Sequence, residues 1–117
     1  MAIDIKGNWL SWINRIPVRP PNEGFVTINE PDGEGHFDGW HHHFNGDFRI
    51  HGQYTPATRG TLDHFWFEGT QEETNCKFRY EADIIIFVTD HMTINGKRHR
   101  ECGEDIGNDD WVGTHTT

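Results

Sequence analysis

The feature that most constrains this chain is the period of its apolar residues. They recur at every second position in short runs broken by glycine, proline and asparagine, and no helix-length stretch shows a 3.6-residue period. Residues two apart share one face of a strand, so the chain reads as strands joined by turns. Residues 7–13 (GNWLSWI) make the first strand and 24–30 (GFVTINE) the second, joined by a Pro-interrupted connection over 14–22. Pro31-Asp32-Gly33 is a strong turn signal. Residues 34–44 and 47–55 pair as a hairpin across Asn45-Gly46. A turn over 56–60 leads into a strand over 61–69 (TLDHFWFEG), and 70–75 (TQEETN) is a polar turn. Residues 76–89 are long for one strand and are expected to bend or break near Ala82-Asp83. Asn95-Gly96 reads as a second hairpin turn between strands over 92–94 and 97–102, followed by a loop over 103–110 and a last strand over 111–116. Seven or eight strands in sequence-local order, without internal repeat or linker, predict a single all-β domain over residues 1–117. A small antiparallel up-and-down β-barrel is the expected architecture, with a small sandwich as the other packing solution.

The stretch densest in chemistry is 35–54, GHFDGWHHHFNGDFRIHGQY. It holds five of the nine histidines, interleaved with aromatic residues. As a strand it has two faces: Phe37, Gly39, His41 and His43 on one, His36, Asp38, Trp40, His42 and Phe44 on the other. Only 33% of the chain is hydrophobic, so five Trp and eight Phe must carry much of the burial. A small barrel is either filled by side chains or holds one small ligand. Because the inward faces are not purely apolar, a lined cavity is expected here.

Ten Lys and Arg stand against nineteen Asp and Glu, a formal net charge of −9, with no basic stripe longer than residues 97–100. Nucleic acid and anionic membranes are therefore not expected partners. The longest apolar run, residues 84–88, is too short to span a bilayer, and the opening MAIDIKGNW has no signal-peptide core. The expectation is a cytoplasmic protein in which Cys76 and Cys102 are free thiols; a disulfide is expected only if the chain is exported. The run 84–88 (IIIFV) reads as a strand buried on both sides, which points to a homo-oligomer.

The chain resembles the avidin family within the wider calycin barrels. Gly7-Asn8-Trp9 resembles the G-x-W of a calycin first strand, 25–29 (FVTIN) sits where the family has its second, and 35–39 (GHFDG) resembles the G-x-F-x-G of the third. Ile50-His51-Gly52 and 61–66 fall at the fourth and fifth strands, and 105–111 (DIGNDDW) looks like the family's D-I-G-D-D-W with one residue inserted. The resemblance implies a ligand in the barrel, but not biotin. The family's ureido-binding tyrosine and threonine fall at His41 and His43, and its first-strand asparagine at Ser11. The tryptophan closing its fifth strand falls at Glu68, and its seventh-strand tryptophan and last-strand asparagine have no counterpart. Trp111 alone is retained.

The register borrowed from the family turns Leu62, His64, Trp66 and Glu68 inward with Phe37, Gly39, His41 and His43, and alternation adds Phe48, Ile50, Gly52 and Tyr54. An aromatic box with a few convergent polar groups suits a small apolar or aromatic molecule. Ser11, His41, His43, Tyr54, His64, Trp66, Glu68 and Trp111 are the expected ligand-binding residues. An alternative is a cofactor-independent acid–base enzyme, an isomerase, cyclase or dehydratase, with His64 and Glu68 as catalytic residues. A further alternative is a metal held by His41 and His43, which share a strand face. No cofactor is expected, and the chain carries no nucleophile elbow, phosphate loop or dinucleotide fingerprint. Ligand identity, and carrier against enzyme, are not decided by the sequence.

Overall fold

A computed structural model of the chain describes residues 3–13, 24–43, 46–86 and 91–116. They form eight strands: β1 (Gly7–Ile13), β2 (Phe25–Ile28), β3 (His36–His43), β4 (Gly46–Thr55), β5 (Asp63–Gln71), β6 (Cys76–Ile86), β7 (Met92–Cys102) and β8 (Asp105–Thr116). Each strand pairs antiparallel with the next, and β8 returns to β1 with Trp111 opposite Ile13, so the sheet closes. The up-and-down barrel read from alternation and turns is the fold. Closure satisfies the edge hydrogen bonds that an open sheet would expose.

The departures lie in the second half. Asn95 and Gly96 are inside β7, opposite Asp83 and Ala82, rather than at a hairpin turn. Gly96 serves a close approach instead: a Cβ there would overlap the Glu81 carbonyl oxygen, and on the other side the residue faces Trp111. The expected strands over 92–94 and 97–102 therefore merge into one. β6 runs without a break through Ala82-Asp83, and β8 begins at Asp105, inside the expected loop, leaving Gly103 and Glu104 as the turn. The connection over 14–22 and the Phe44-Asn45 part of the first hairpin lie outside the described residues.

Cys76 and Cys102 are directly opposed in the β6–β7 register, with Cα atoms 4.3 Å apart, and form a disulfide. This corrects the expected free thiols. The pairing follows from a register that runs through Asn95-Gly96, which the hairpin reading had interrupted.

The interior is a stack of rings. Trp9 meets Phe65 at 5.5 Å between centroids, Phe67 meets Tyr80 at 4.9 Å and Trp111 at 5.6 Å, and Tyr80 meets Trp111 at 4.8 Å. Inward Gly39, Gly52, Ala82 and Gly113 alternate with them, small against large, as the taper of a small barrel requires. Through its middle the barrel is filled, not the lined cavity that the mixed inward faces suggested. Ile84 is buried, but Ile85 and Ile86 are exposed, so this run is not covered on both sides within the chain; Phe87 and Val88 lie outside the described residues.

Candidate functional site

The expected site residues separate into three places. Ser11, His41, His43 and Trp111 gather at the end of the barrel where β1, β3, β5 and β7 finish. Tyr54 lies at the opposite end. His64, Trp66 and Glu68 lie outside.

The third group corrects the expected register of β5. Its inward residues are Asp63, Phe65, Phe67 and Gln71, while Leu62 is exposed and His64, Trp66 and Glu68 are half-exposed on the outer face. Both phases of this strand carry aromatic rings, so alternation alone does not choose between them. The observed phase buries two Phe, each worth about 1.5–3 kcal/mol, its inward polar residues Asp63 and Gln71 are hydrogen-bonded, and an imidazole and a carboxylate stay in water; the opposite phase would bury Leu62 and one Trp together with His64 and Glu68. Outside, His64 Nδ1 pairs with Asp83 at 3.0 Å. Glu68 pairs with His51 at 3.2 Å and accepts from Arg79 at 3.4 Å, and the Arg79 guanidinium lies 4.4 Å over the Trp66 ring. These are surface ladders between neighbouring strands.

At the far end the Tyr54 hydroxyl donates to Asp63 Oδ1 at 2.6 Å and accepts from the Ile3 amide at 3.0 Å, while Ala57 N also donates to Asp63. Burial, then the bond to Asp63, pushes the phenol up to about 12. Nearby, Trp9 Nε1 donates to the Ile5 carbonyl. This end is tied shut by its own hydrogen bonds.

The near end is different. His41 lies in a cage of rings, 4.9 Å from Phe48 and 5.3 Å from Tyr80, with His43 at 5.5 Å. Tyr80 in turn touches Trp111, so His41 and Trp111 flank one phenol ring. Ser11 is one inward position along β1 from Ile13, which pairs with Trp111. Ser11, His41 and Trp111 are fully buried. Among the described residues, Ser11 Oγ and Trp111 Nε1 are buried with no hydrogen-bond partner.

Above them sit groups that the sequence reading missed. Gln71 Nε2 donates to the Gly46 carbonyl at 3.0 Å and lies 3.5 Å from His43 Nδ1. Phe78 packs on both His43 and Phe48. Arg98, 5% exposed, donates from Nη2 to Asp109 Oδ2 at 2.7 Å with its guanidinium 5.7 Å from the Phe78 ring centre. Arg100 is the next inward residue of β7, beside the Cys76–Cys102 bridge. Both arginines follow from the phase of Ile94 once β7 is read as one strand. His41 and His43 find no third His, Cys, Asp or Glu placed to complete a metal site among the described residues.

No protein-family model and no curated protein matches the chain. Solved structures do. The biotin binding protein from chicken is 13% identical, with a TM-score of 0.74 over 95% of this chain and 96% of that one. AVR2 is 16% identical with a TM-score of 0.66 over 95% of both chains, and apo shwanavidin is 16% identical with a TM-score of 0.63 over 99% of this chain and 100% of its own. At these identities the likeness is one of fold, and the fold is avidin-like.

Proposed function

We propose that this avidin-like barrel binds a small, largely aromatic or apolar organic molecule at the end that gathers Ser11, His41, His43 and Trp111. The observation that carries the reading is the pair of buried atoms Ser11 Oγ and Trp111 Nε1, among aromatic walls and without a hydrogen-bond partner among the described residues. A buried polar group left unmatched costs about 1–3 kcal/mol, a cost that a ligand supplying the missing partner removes. The similarity in fold to the biotin binding protein from chicken adds support for a small-molecule site in a barrel of this shape. Biotin itself is not expected, because the resemblance puts imidazoles at His41 and His43 where that family has a tyrosine and a threonine. Since rings fill the centre, a ligand has to displace the outer ones, of which His43 and Phe78 are the least buried.

The acid–base enzyme reading loses its support, because His64 and Glu68 face away from the interior. We also propose self-association, with a second copy covering exposed Ile85 and Ile86. The disulfide favours an oxidising compartment over the cytoplasm expected from the sequence. The binding reading is tested by thermal shift against a panel of small aromatic compounds. Compounds that raise the melting temperature of the wild type should lose roughly tenfold in affinity with Ser11→Ala or Trp111→Phe, while biotin gives no shift. Affinity unchanged in both variants would place the ligand elsewhere.

A further inference from the structure

We infer that the ligand carries an anionic group, a carboxylate or sulfonate, at one end, and that Arg100 receives it at the mouth of the barrel. The inference rests on the binding reading above and specifies the class of molecule. Its basis is the kind of atom left unmatched. Among the described residues, Trp111 Nε1 and Arg100 Nε are both buried without a hydrogen-bond partner, and an indole or guanidinium N–H can only donate. Three acceptors at this end are already engaged, Asp109 Oδ2 by Arg98, Gln71 Oε1 by Thr74 and the Gly46 carbonyl by Gln71, and the Ser11 hydroxyl cannot serve both donors. The site is short of acceptors, so its ligand has to bring them.

Arg100 is suited to the charged one. Its ion pair is a single 3.4 Å contact from Nη2 to Asp105, a mostly exposed carboxylate of the kind that contributes little. That leaves most of a planar five-donor fork for a second, bidentate anion. Gly107 lies opposite Arg100, and a Cβ there would come within 2.9 Å of Nη2, so a side chain at this position would make the guanidinium shift. Along β7 the inward positions run Gly96 (opposite Trp111), Arg98, Arg100. Four residues at about 3.3 Å each separate the first from the last, about 13 Å. A ligand bridging both donors is therefore elongated, with an acceptor near Trp111, an apolar middle against Tyr80 and Phe78, and an acid at the rim. The chain's net charge of −9 opposes anions at long range, so a preference for one has to come from this local arrangement.

Anilinonaphthalene sulfonate and phenylnaphthylamine share one aromatic frame and differ in the anionic group, so the pair tests the inference by fluorescence titration. The wild type is expected to bind the sulfonate at least tenfold more tightly, with the preference shrinking as salt is raised. Arg100→Gln should cut the ratio of the two affinities roughly tenfold, Arg100→Lys by less, and Arg79→Gln on the outer face not at all. Trp111→Phe, which shrinks the aromatic wall that both probes pack against, should weaken both. Equal wild-type affinities, or a ratio untouched by Arg100→Gln, would overturn the anion inference while leaving the site intact. Probe binding that ignores Trp111→Phe, or no binding at all, would overturn the site itself and this inference with it.

Discussion

Tyr54 shows at the residue scale how a side chain can face inward and still not belong to the site. Alternation along the hairpin gives its face correctly, but a face says nothing about depth, and Tyr54 sits at the closed end with Asp63. Its phenol is raised to about 12, first by burial and then by the Asp63 bond, so the folded state holds a proton that the unfolded state releases near 10. A raised folded pKa contributes stability that is full below the unfolded value and lost as pH rises through the folded one. The urea midpoint of the wild type should therefore fall between pH 10 and 12 by more than that of Tyr54→Phe. At neutral pH the same variant should be about 1–3 kcal/mol less stable, because it strands the Ile3 amide and leaves Asp63 a weaker set of donors. Parallel pH curves for the two proteins would remove the burial account of this tyrosine.

At the scale of elements, legibility depended on whether one face of a strand was plainly better than the other. In β4 one phase is plainly apolar, and Phe48 and Ile50 are inward as alternation indicates; in β3 rings and imidazoles stand on both phases, and the register borrowed from the family resemblance is what turns Phe37, His41 and His43 inward, where they are found. In β5 the sequence HFWFE offers rings on both phases. There the choice came from the number of rings buried and the polar groups released, quantities that need the partner strands. A one-residue slip reverses every side chain, which is how three expected ligand residues came to lie outside. The register makes a sharp claim on stability. Phe67→Ala, which opens a hole against Tyr80 and Trp111, should cost about 3–5 kcal/mol by chemical denaturation. Trp66→Ala, which removes outer-face contacts with Arg79 and His51, should cost about 1 kcal/mol or less. The reverse order would restore the borrowed register. In β7 the error was of another kind. Asn-Gly is a turn signal only where the chain reverses, and reading a turn at Asn95-Gly96 restarted the phase and hid Arg98, Arg100 and the opposition of the two cysteines.

For the whole molecule, the fold was legible because a closed meander needs little more than alternation, turns and order along the chain, all local properties. What fills the barrel was not. The contacts of Trp9 with Phe65, and of Tyr80 with Trp111, join residues far apart in sequence, and the depth to which rings close the interior is set by those contacts together. The result is a barrel tied shut at one end by Tyr54 and Asp63 and filled through the middle. At the other end stand Trp111 Nε1 and Arg100 Nε, donors with no acceptor among the described residues. Native mass spectrometry of the protein from its own source, wild type beside the Ser11→Ala, Trp111→Phe double variant, tests this most directly. The account expects a small organic molecule retained by the wild type and lost from the double variant, on a chain lighter by the two hydrogens of its cystine. A wild type that carries nothing, or a double variant that keeps the same molecule, would contradict it.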